Sequence, residues 1–275
     1  MSAIRITGLI PCKNERKNLR ACIESFRDLT DEMLVADSGS TDGTIEIARS
    51  LGCRVVEREY VFSGDFKNWA IPQATHEWVL LLDADERVTP ALAEEIRRIK
   101  AQGPDADGYW IGRENYFMGR RVRFSGWRND ACIRLFHRDR GRYVGPSDHG
   151  EIVISTGRVG RLKQKMLHYT LWSYDQYVKK LDRYARVQAE QWRDAGKRPS
   201  AFKLLANGPL RALRCYVFQL GFLDGMVGMQ LAALAGYYSF LKQARLWELC
   251  EALPQPDCEA EHAAALAERE SRRAA

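Results

Sequence analysis

Asp83, Asp85 and Glu86 stand at the end of an apolar run, Trp78-Val79-Leu80-Leu81-Leu82-Asp83-Ala84-Asp85-Glu86. A buried strand that ends in two carboxylates two residues apart delivers them to the strand's carboxyl end, where open α/β sheets bind ligands. Alternation along an extended chain points Asp83 and Asp85 to the same side, within reach of one divalent ion and a diphosphate that it holds. The same residue types also make an ordinary solvated loop capping the next helix. Only the elements around the turn can separate the two readings.

Those elements form a succession. Residues 4–10 read as a buried strand closed by Pro11. Asn14 is a suitable N-cap for a helix that buries Leu19, Cys22, Ile23 and Phe26. A strand over 32–36 runs into the polar turn Asp37-Ser38-Gly39-Ser40-Thr41-Asp42-Gly43-Thr44, and the next helix carries Ile45, Ala48 and Leu51 on one face. A third strand over 53–57, helical residues near 67–75, the strand 78–82 and a helix opening at Thr89-Pro90 complete the pattern. Strands and helices alternating over short connections predict a mostly parallel, twisted α/β sheet with helices on both faces. From 109 to about 167 the pattern changes to short strand-like pieces between Gly- and Arg-rich loops, and from 173 onward it is helical.

The chain has 275 residues, is 45% apolar and carries a formal net charge of +6, enough for a large domain with an appendage and for contact with phosphates or an anionic membrane. It has no nucleic-acid-binding motif. Seven scattered cysteines without a Cys-x-x-Cys pair indicate neither a disulfide framework nor a zinc site. The start Met1-Ser2-Ala3-Ile4-Arg5 lacks the apolar core of a signal peptide, so a cytoplasmic catalytic part is expected.

Residues 215–241 are apolar apart from Asp224, in Gly221-Phe222-Leu223-Asp224-Gly225, which should turn or kink the segment. A central Asp costs roughly 2.5–3.5 kcal/mol on insertion scales, so a monotopic helical hairpin fits better than a span. An apolar helix pair packed on the domain fits equally well. Arg211, Arg214, Lys242 and Arg245 flank the segment and suit anionic head groups.

Taken in order, Ile10-Pro11-Cys12-Lys13-Asn14-Glu15, the Asp37–Thr44 turn and the 78–86 segment make the chain resemble family 2 glycosyltransferases with the nucleotide-sugar-binding fold called GT-A. The resemblance is strongest over residues 4–100. It implies a GT-A catalytic domain over 1–170, with a nucleotide-sugar half (1–105) and an acceptor half (106–170), then a partly apolar helical extension (171–253) and a tail (254–275). It further implies Pro11, Asn14, Glu15 and Asp37 as nucleoside contacts, Lys67 near the donor diphosphate, and Asp83 and Asp85 as the Asp-x-Asp pair that holds Mg²⁺ or Mn²⁺. Asp85 is the expected direct ligand, Asp83 an outer contact to ribose or metal-bound water, and Glu86 a support for the loop. His168 is a further metal or diphosphate contact by the same resemblance, or else a packed histidine.

An inverting transferase also needs a base for the acceptor hydroxyl. The chain is similar to bacterial lipopolysaccharide core glucosyltransferases of the β-1,4 type, in which a His-Glu pair precedes an apolar segment ending in His-Tyr. Here Ser147-Asp148-His149-Gly150-Glu151-Ile152 precedes Leu167-His168-Tyr169, with Gly150 where the Glu would stand. Asp148, Glu151 and Asp130 all stay open as the base, and Trp127, Trp172 and Tyr174 as residues that stack on sugars. The expectation is a UDP-sugar-dependent transferase, acting on a lipopolysaccharide-core or other lipid-linked glycan at the cytoplasmic face of a bacterial inner membrane. The alternatives are a non-catalytic nucleotide-sugar-binding membrane protein and, without a Gly-rich phosphate loop to support it, a sugar-1-phosphate nucleotidyltransferase.

Overall fold

The computed structural model describes residues 3–145, 150–252, 258, 259 and 262. Its first part is β1 (Ile6–Cys12), α1 (Leu19–Phe26), β2 (Glu32–Asp37), α2 (Thr44–Ser50), β3 (Arg54–Glu57), α3 (Ser63–Ala70), β4 (Trp78–Leu81), the two-residue β5 (Glu86–Arg87) and α4 (Pro90–Gln102). The second part comprises β6 (Gly108–Phe117), β7 (Arg120–Val122), β8 (Ala131–His137), β9 (Gly141–Val144), β10 (Glu151–Ile154), β11 (Val159–Leu171), α5 (Tyr174–Asp194), α6 (Ala201–Leu213) and α7 (Gly225–Glu251). One sheet runs in the order β3-β2-β1-β4-β8-β6-β11-β5, with β7 paired to β6, and β9–β10 form a separate hairpin.

The β3-β2-β1-β4 block is wholly parallel, as runs such as Ile6–Ile10 and Trp78–Leu82, buried on both faces, require. Helices α1 and α4 put Leu19, Cys22, Ile23, Phe26, Leu92 and Ile96 into one core against this block. Phe66, Ala70 and Ile71 enter a second core with Leu34, Val79 and Leu81. These faces follow the 3.6-residue spacing of the apolar positions.

Two local expectations change. Strand β1 continues through Pro11 to Cys12 because β4 pairs with it only as far as Leu9, so a residue without an N–H has a vacant side to face. Helix α1 begins at Leu19, and Asn14 sits at φ +56°, where its Oδ1 accepts from Thr41 N (2.8 Å) and ties two loops together instead of capping the helix.

Beyond residue 105 the sheet becomes mixed. Strand β8 inserts antiparallel between β4 and β6, and the thirteen-residue β11 lies parallel to β6 and antiparallel to β5. In that register His168 lies opposite both Asn115 of β6 and Glu86 of β5. The apolar segment is broken, as Gly221–Gly225 suggested. A π-helical turn over Arg214–Phe218 ends α6, and α7 leaves at 72° to it. The two helices touch at Gly208 and Gly236, where a Cβ on Gly236 would lie 2.8 Å from the Gly208 carbonyl oxygen.

Candidate active site

Strand β4 stops at Leu81, and residues 83–86 form a tight turn in which Glu86 N donates to the Asp83 carbonyl (2.9 Å) and Asp83 N to Glu86 Oε2 (3.0 Å). The turn opens into a cleft of about 800 Å³ at the carboxyl ends of the parallel strands. Of the residues expected from sequence, Pro11, Glu15, Lys67, Asp83, Asp85, Asp130, Glu151 and His168 line this cleft. Asn14 and Asp37 do not, and Asp148, with His149, lies outside the described residues.

Asp37 is fully buried, and its carboxylate accepts from the Gly39 and Ser40 backbone N–H groups (2.8 and 2.7 Å) and from the Ser40 hydroxyl. It therefore shapes the turn from which Ser38 reaches the cleft. Glu15 is anchored by Asn18 Nδ2 (2.8 Å), while burial pushes its pKa up and the nearby Asp85 and Asp83 add to that shift.

The two carboxylates of the turn have different surroundings. Asp83 pairs with Lys67 Nζ (2.8 Å) on one oxygen and with the Arg134 guanidinium on the other. Burial pushes its pKa up, but Arg134 and Lys67 outweigh that effect and hold it well below the usual carboxylate range. Arg134 also reaches Glu86 Oε1 (2.8 Å) and the Tyr143 hydroxyl (3.1 Å), and Lys67 lies 5.1 Å from the centre of the Tyr143 ring. Glu86 is completely buried, so it supports the turn from behind.

Asp85 faces a histidine. His168 Nε2 is 3.6 Å from Asp85 Oδ2, longer than a hydrogen bond. Asn115 selects the tautomer of that ring. Its Nδ2 donates to Asp130 Oδ2 (2.9 Å), so its Oδ1 accepts from His168 Nδ1–H (2.6 Å). In the neutral imidazole, Nε2 then turns a lone pair toward the Asp85 carboxylate. Two lone-pair donors facing each other repel unless a cation lies between them, and a histidine whose other nitrogen is fixed by a hydrogen bond is how proteins orient a metal ligand. Burial pushes the Asp85 pKa up. When His168 is instead protonated, its Nε2–H faces the carboxylate, and this contact outweighs the effect of burial and lowers the Asp85 pKa. Among the described residues no group of three or more His, Cys, Asp or Glu side chains could hold an ion. Asp85 and His168 would therefore supply one oxygen and one nitrogen ligand to a divalent cation, whose other ligands would have to come from outside the described side chains.

Asp130 continues the chain of contacts, with Arg113 Nη2 at 2.7 Å from Oδ1. Burial pushes its pKa up, but the Arg113 hydrogen bond and charge, with Asn115, bring it below the ordinary value. Glu151 lies at the start of β10, opposite Val144 of β9, and its exposed side chain has no hydrogen-bond or ion-pair partner among the described residues. A second cleft of about 420 Å³, lined by Asn115, Gly126, Trp127, Asn129 and Thr170, shares Asp130 and His168 with the first. Of the other aromatic candidates, Trp172 is exposed and stacks on Tyr169 with centroids 5.8 Å apart, while the Tyr174 hydroxyl donates to Gln230.

Several cleft residues were not read from sequence. Arg134 and Arg113 belong to an arginine-rich stretch with no local motif, and only the β8 and β6 registers aim them at the acidic turn. Lys180, Arg183 and Tyr184 reach the cleft from α5. Their i, i+3, i+4 spacing puts them on one helix face, a signal that was present but pointed to no particular partner.

The model for "Glycosyl transferase family 2" matches residues 8–161. The "Lipopolysaccharide core biosynthesis glycosyltransferase LpsC" of Rhizobium meliloti (strain 1021) is 29% identical over 249 residues, covering 88% of this chain and 92% of that protein. An uncharacterized glycosyltransferase of Rickettsia typhi is 27% identical over 89% of this chain and 87% of its own length. Among solved structures, glucosyl-3-phosphoglycerate synthase from Mycobacterium tuberculosis, in complex with Mn²⁺, UDP and glucosyl-3-phosphoglycerate, is similar with a TM-score of 0.50. The two are 17% identical, and the match covers 72% of this chain and 82% of that one.

Proposed function

The chain belongs to glycosyl transferase family 2 and has the GT-A fold, and from that premise we propose that it transfers a sugar, glucose or a close relative, from UDP to a lipopolysaccharide-core or other lipid-linked glycan with inversion. The observation that carries this reading is the pairing of Asp85 with His168 on the acidic turn of the cleft, oriented through Asn115. Asp85 and His168 would hold Mg²⁺ or Mn²⁺. When bound, the ion supplies charge that stabilises the departing diphosphate.

The side chains divide the remaining work. Asp83 keeps Lys67 and Arg134 fixed and charged at the cleft wall, where Lys67 has further N–H donors for phosphate oxygens. Pro11, Glu15 and Ser38 border the space for the nucleoside, and Asp37 serves it indirectly by holding the turn of Ser38. The acceptor hydroxyl attacks the anomeric carbon as the bond to the UDP oxygen breaks, and its proton goes to a carboxylate. Glu151 is the better acceptor of that proton among the described candidates. Asp130 is held ionised by Arg113 and Asn115, which weakens it as a base. The membrane partner and the place of action, the cytoplasmic face of a bacterial inner membrane, follow from the lipid-linked acceptor in this reading. No single helix among the described residues is long and apolar enough to cross a membrane.

The test is UDP release from UDP-glucose by the purified chain, with and without Mn²⁺. Release that depends on metal, disappears in Asp85→Asn and falls further in Glu151→Gln than in Asp130→Asn is the expected result. Release that persists with chelator would remove the metal from the scheme. A larger loss in Asp130→Asn would move the base to Asp130.

A further inference from the structure

The break between α6 and α7 exposes Phe218, Leu223 and Met226 to 76%, 55% and 66%, with Leu213, Val217 and Phe222 beside them. At its centre Leu220 adopts φ +57°, a left-handed conformation uncommon for a leucine. Asp224 is the one acidic residue between 195 and 247, and it does not face outward. Its carboxylate accepts from Arg123 N, Phe124 N and Ser125 Oγ, each at 2.9 Å. The contact is returned by Ser125 N donating to the Gln219 carbonyl (3.0 Å) and by Cys215 Sγ to the Ser125 carbonyl (3.3 Å). The next residue, Gly126 at φ +83°, lies so close that a Cβ would stand 2.6 Å from Gln219 Oε1. Gly126 and Trp127 then line the second cleft.

Charge selects the occupant of this surface. Residues 115–129 carry four exposed arginines, Arg120, Arg121, Arg123 and Arg128, and no acid, and exposed Arg211 and Arg214 precede the break. Apolar side chains joined to an arginine-rich loop, in which Arg121 is paired with Glu114 (2.6 Å), match the interface of an anionic bilayer, with phosphates for the guanidinium groups and acyl chains for Phe218, Leu223 and Met226. Turning Asp224 inward removes the one acidic charge of residues 195–247 that would oppose such seating.

We infer that the α6–α7 break docks on an anionic lipid bilayer and that Asp224 latches this docked element to the 123–127 loop, so that membrane contact positions the wall of the second cleft. The inference deepens the lipid-linked-acceptor reading and rests on it for its purpose. Its physical claim is separate from the transfer chemistry.

The test uses the full chain with phosphatidylcholine vesicles, with and without phosphatidylglycerol, read by co-sedimentation and by hydrogen exchange. Wild type should bind the anionic vesicles at least about tenfold more tightly than the neutral ones. Phe218→Ser/Leu223→Ser/Met226→Ser should abolish binding while leaving the melting temperature and UDP affinity unchanged. On vesicles the amides of residues 123–127 should exchange more slowly in wild type. Asp224→Asn should keep vesicle binding and lose that slowing. Absent or equal vesicle binding by wild type and the triple variant would overturn the docking, as would a soluble dimer that buries these three residues. Slowing retained in Asp224→Asn would overturn the latch. Failure of wild type to bind UDP with Mn²⁺ would instead overturn the transferase reading and leave the vesicle result intact.

Discussion

The two walls of the cleft are built in different ways. On the β1–β4 side the strands are parallel and buried, joined by helices that pack where their own apolar spacing points. On the β6–β8–β11 side the long strands bring arginines, an asparagine and a histidine to the acidic turn, and the helices behind them leave apolar surface exposed. The first wall is a core with a ligand edge. The second is a charge network held in place by register, so it is the wall where single polar substitutions should do the most damage.

Arg134→Met is expected to have the largest effect. It leaves the fully buried Glu86 without its closest cation and halves the pairing of Asp83, and breaking one partner of a buried pair costs about 3–5 kcal/mol. Urea unfolding measures it, and a loss below about 1 kcal/mol would mean that the network contributes little and the walls are alike. Asp85→Asn comes next. It should leave the melting temperature near wild type and, if the proposed metal role holds, lower turnover at least about 100-fold, no less than supporting residues of metal sites cost when removed. Unchanged turnover would put the reacting centre elsewhere in the cleft.

Gly236→Val should cost about 1–3 kcal/mol, because the new side chain meets the Gly208 carbonyl at the α6–α7 crossing. Hydrogen exchange should show this loss in α6 and α7 and spare β1–β4. A uniform loss would mean that the two regions unfold as one.

The smallest effect is electrostatic and sits on the first wall. Burial pushes the Glu32 pKa up, but the Thr75 backbone N–H, the Thr7 and Thr75 hydroxyls and Arg54 bring it down to about 2, from an ordinary 4.5. A depressed carboxylate pKa contributes stability that is complete above about 4.5 and is lost as pH falls through about 2. The melting-temperature difference between wild type and Glu32→Gln should therefore be constant above pH 5 and shrink below 4.5. A difference that grows on acidification would contradict the assignment.

These differences follow the line between what was and was not legible. The strands and helices up to α4 follow from periods of two and 3.6 because each element's burial is decided by its own apolar residues. The break at Gly221–Gly225 was visible for a similar reason, since glycine and a lone acid interrupt an apolar helix locally. The thirteen-residue β11 was not, because Val159-Gly160-Arg161-Leu162-Lys163 has no clean alternation and takes its extended form from pairing with β6. Asp37 carries the turn that its Asp-Ser-Gly setting suggests, with its carboxylate fully engaged by that turn. Glu86 supports the loop as expected, but its partner Arg134 stands 48 residues away.

The sequence by itself determined the parallel nucleotide-type sheet, the acidic turn at its carboxyl edge and the existence of a broken apolar helix pair. Each of these is encoded in contiguous residues whose burial or conformational preference acts over a few positions. Tertiary structure alone decided that Asp83 belongs to Lys67 and Arg134, that Asp85 faces a histidine oriented by Asn115, and that Asp224 turns inward onto the 123–125 loop. Those assignments rest on strand register and on contacts between residues 16 to 101 positions apart, and a carboxylate's role is set by the charges that surround it in space.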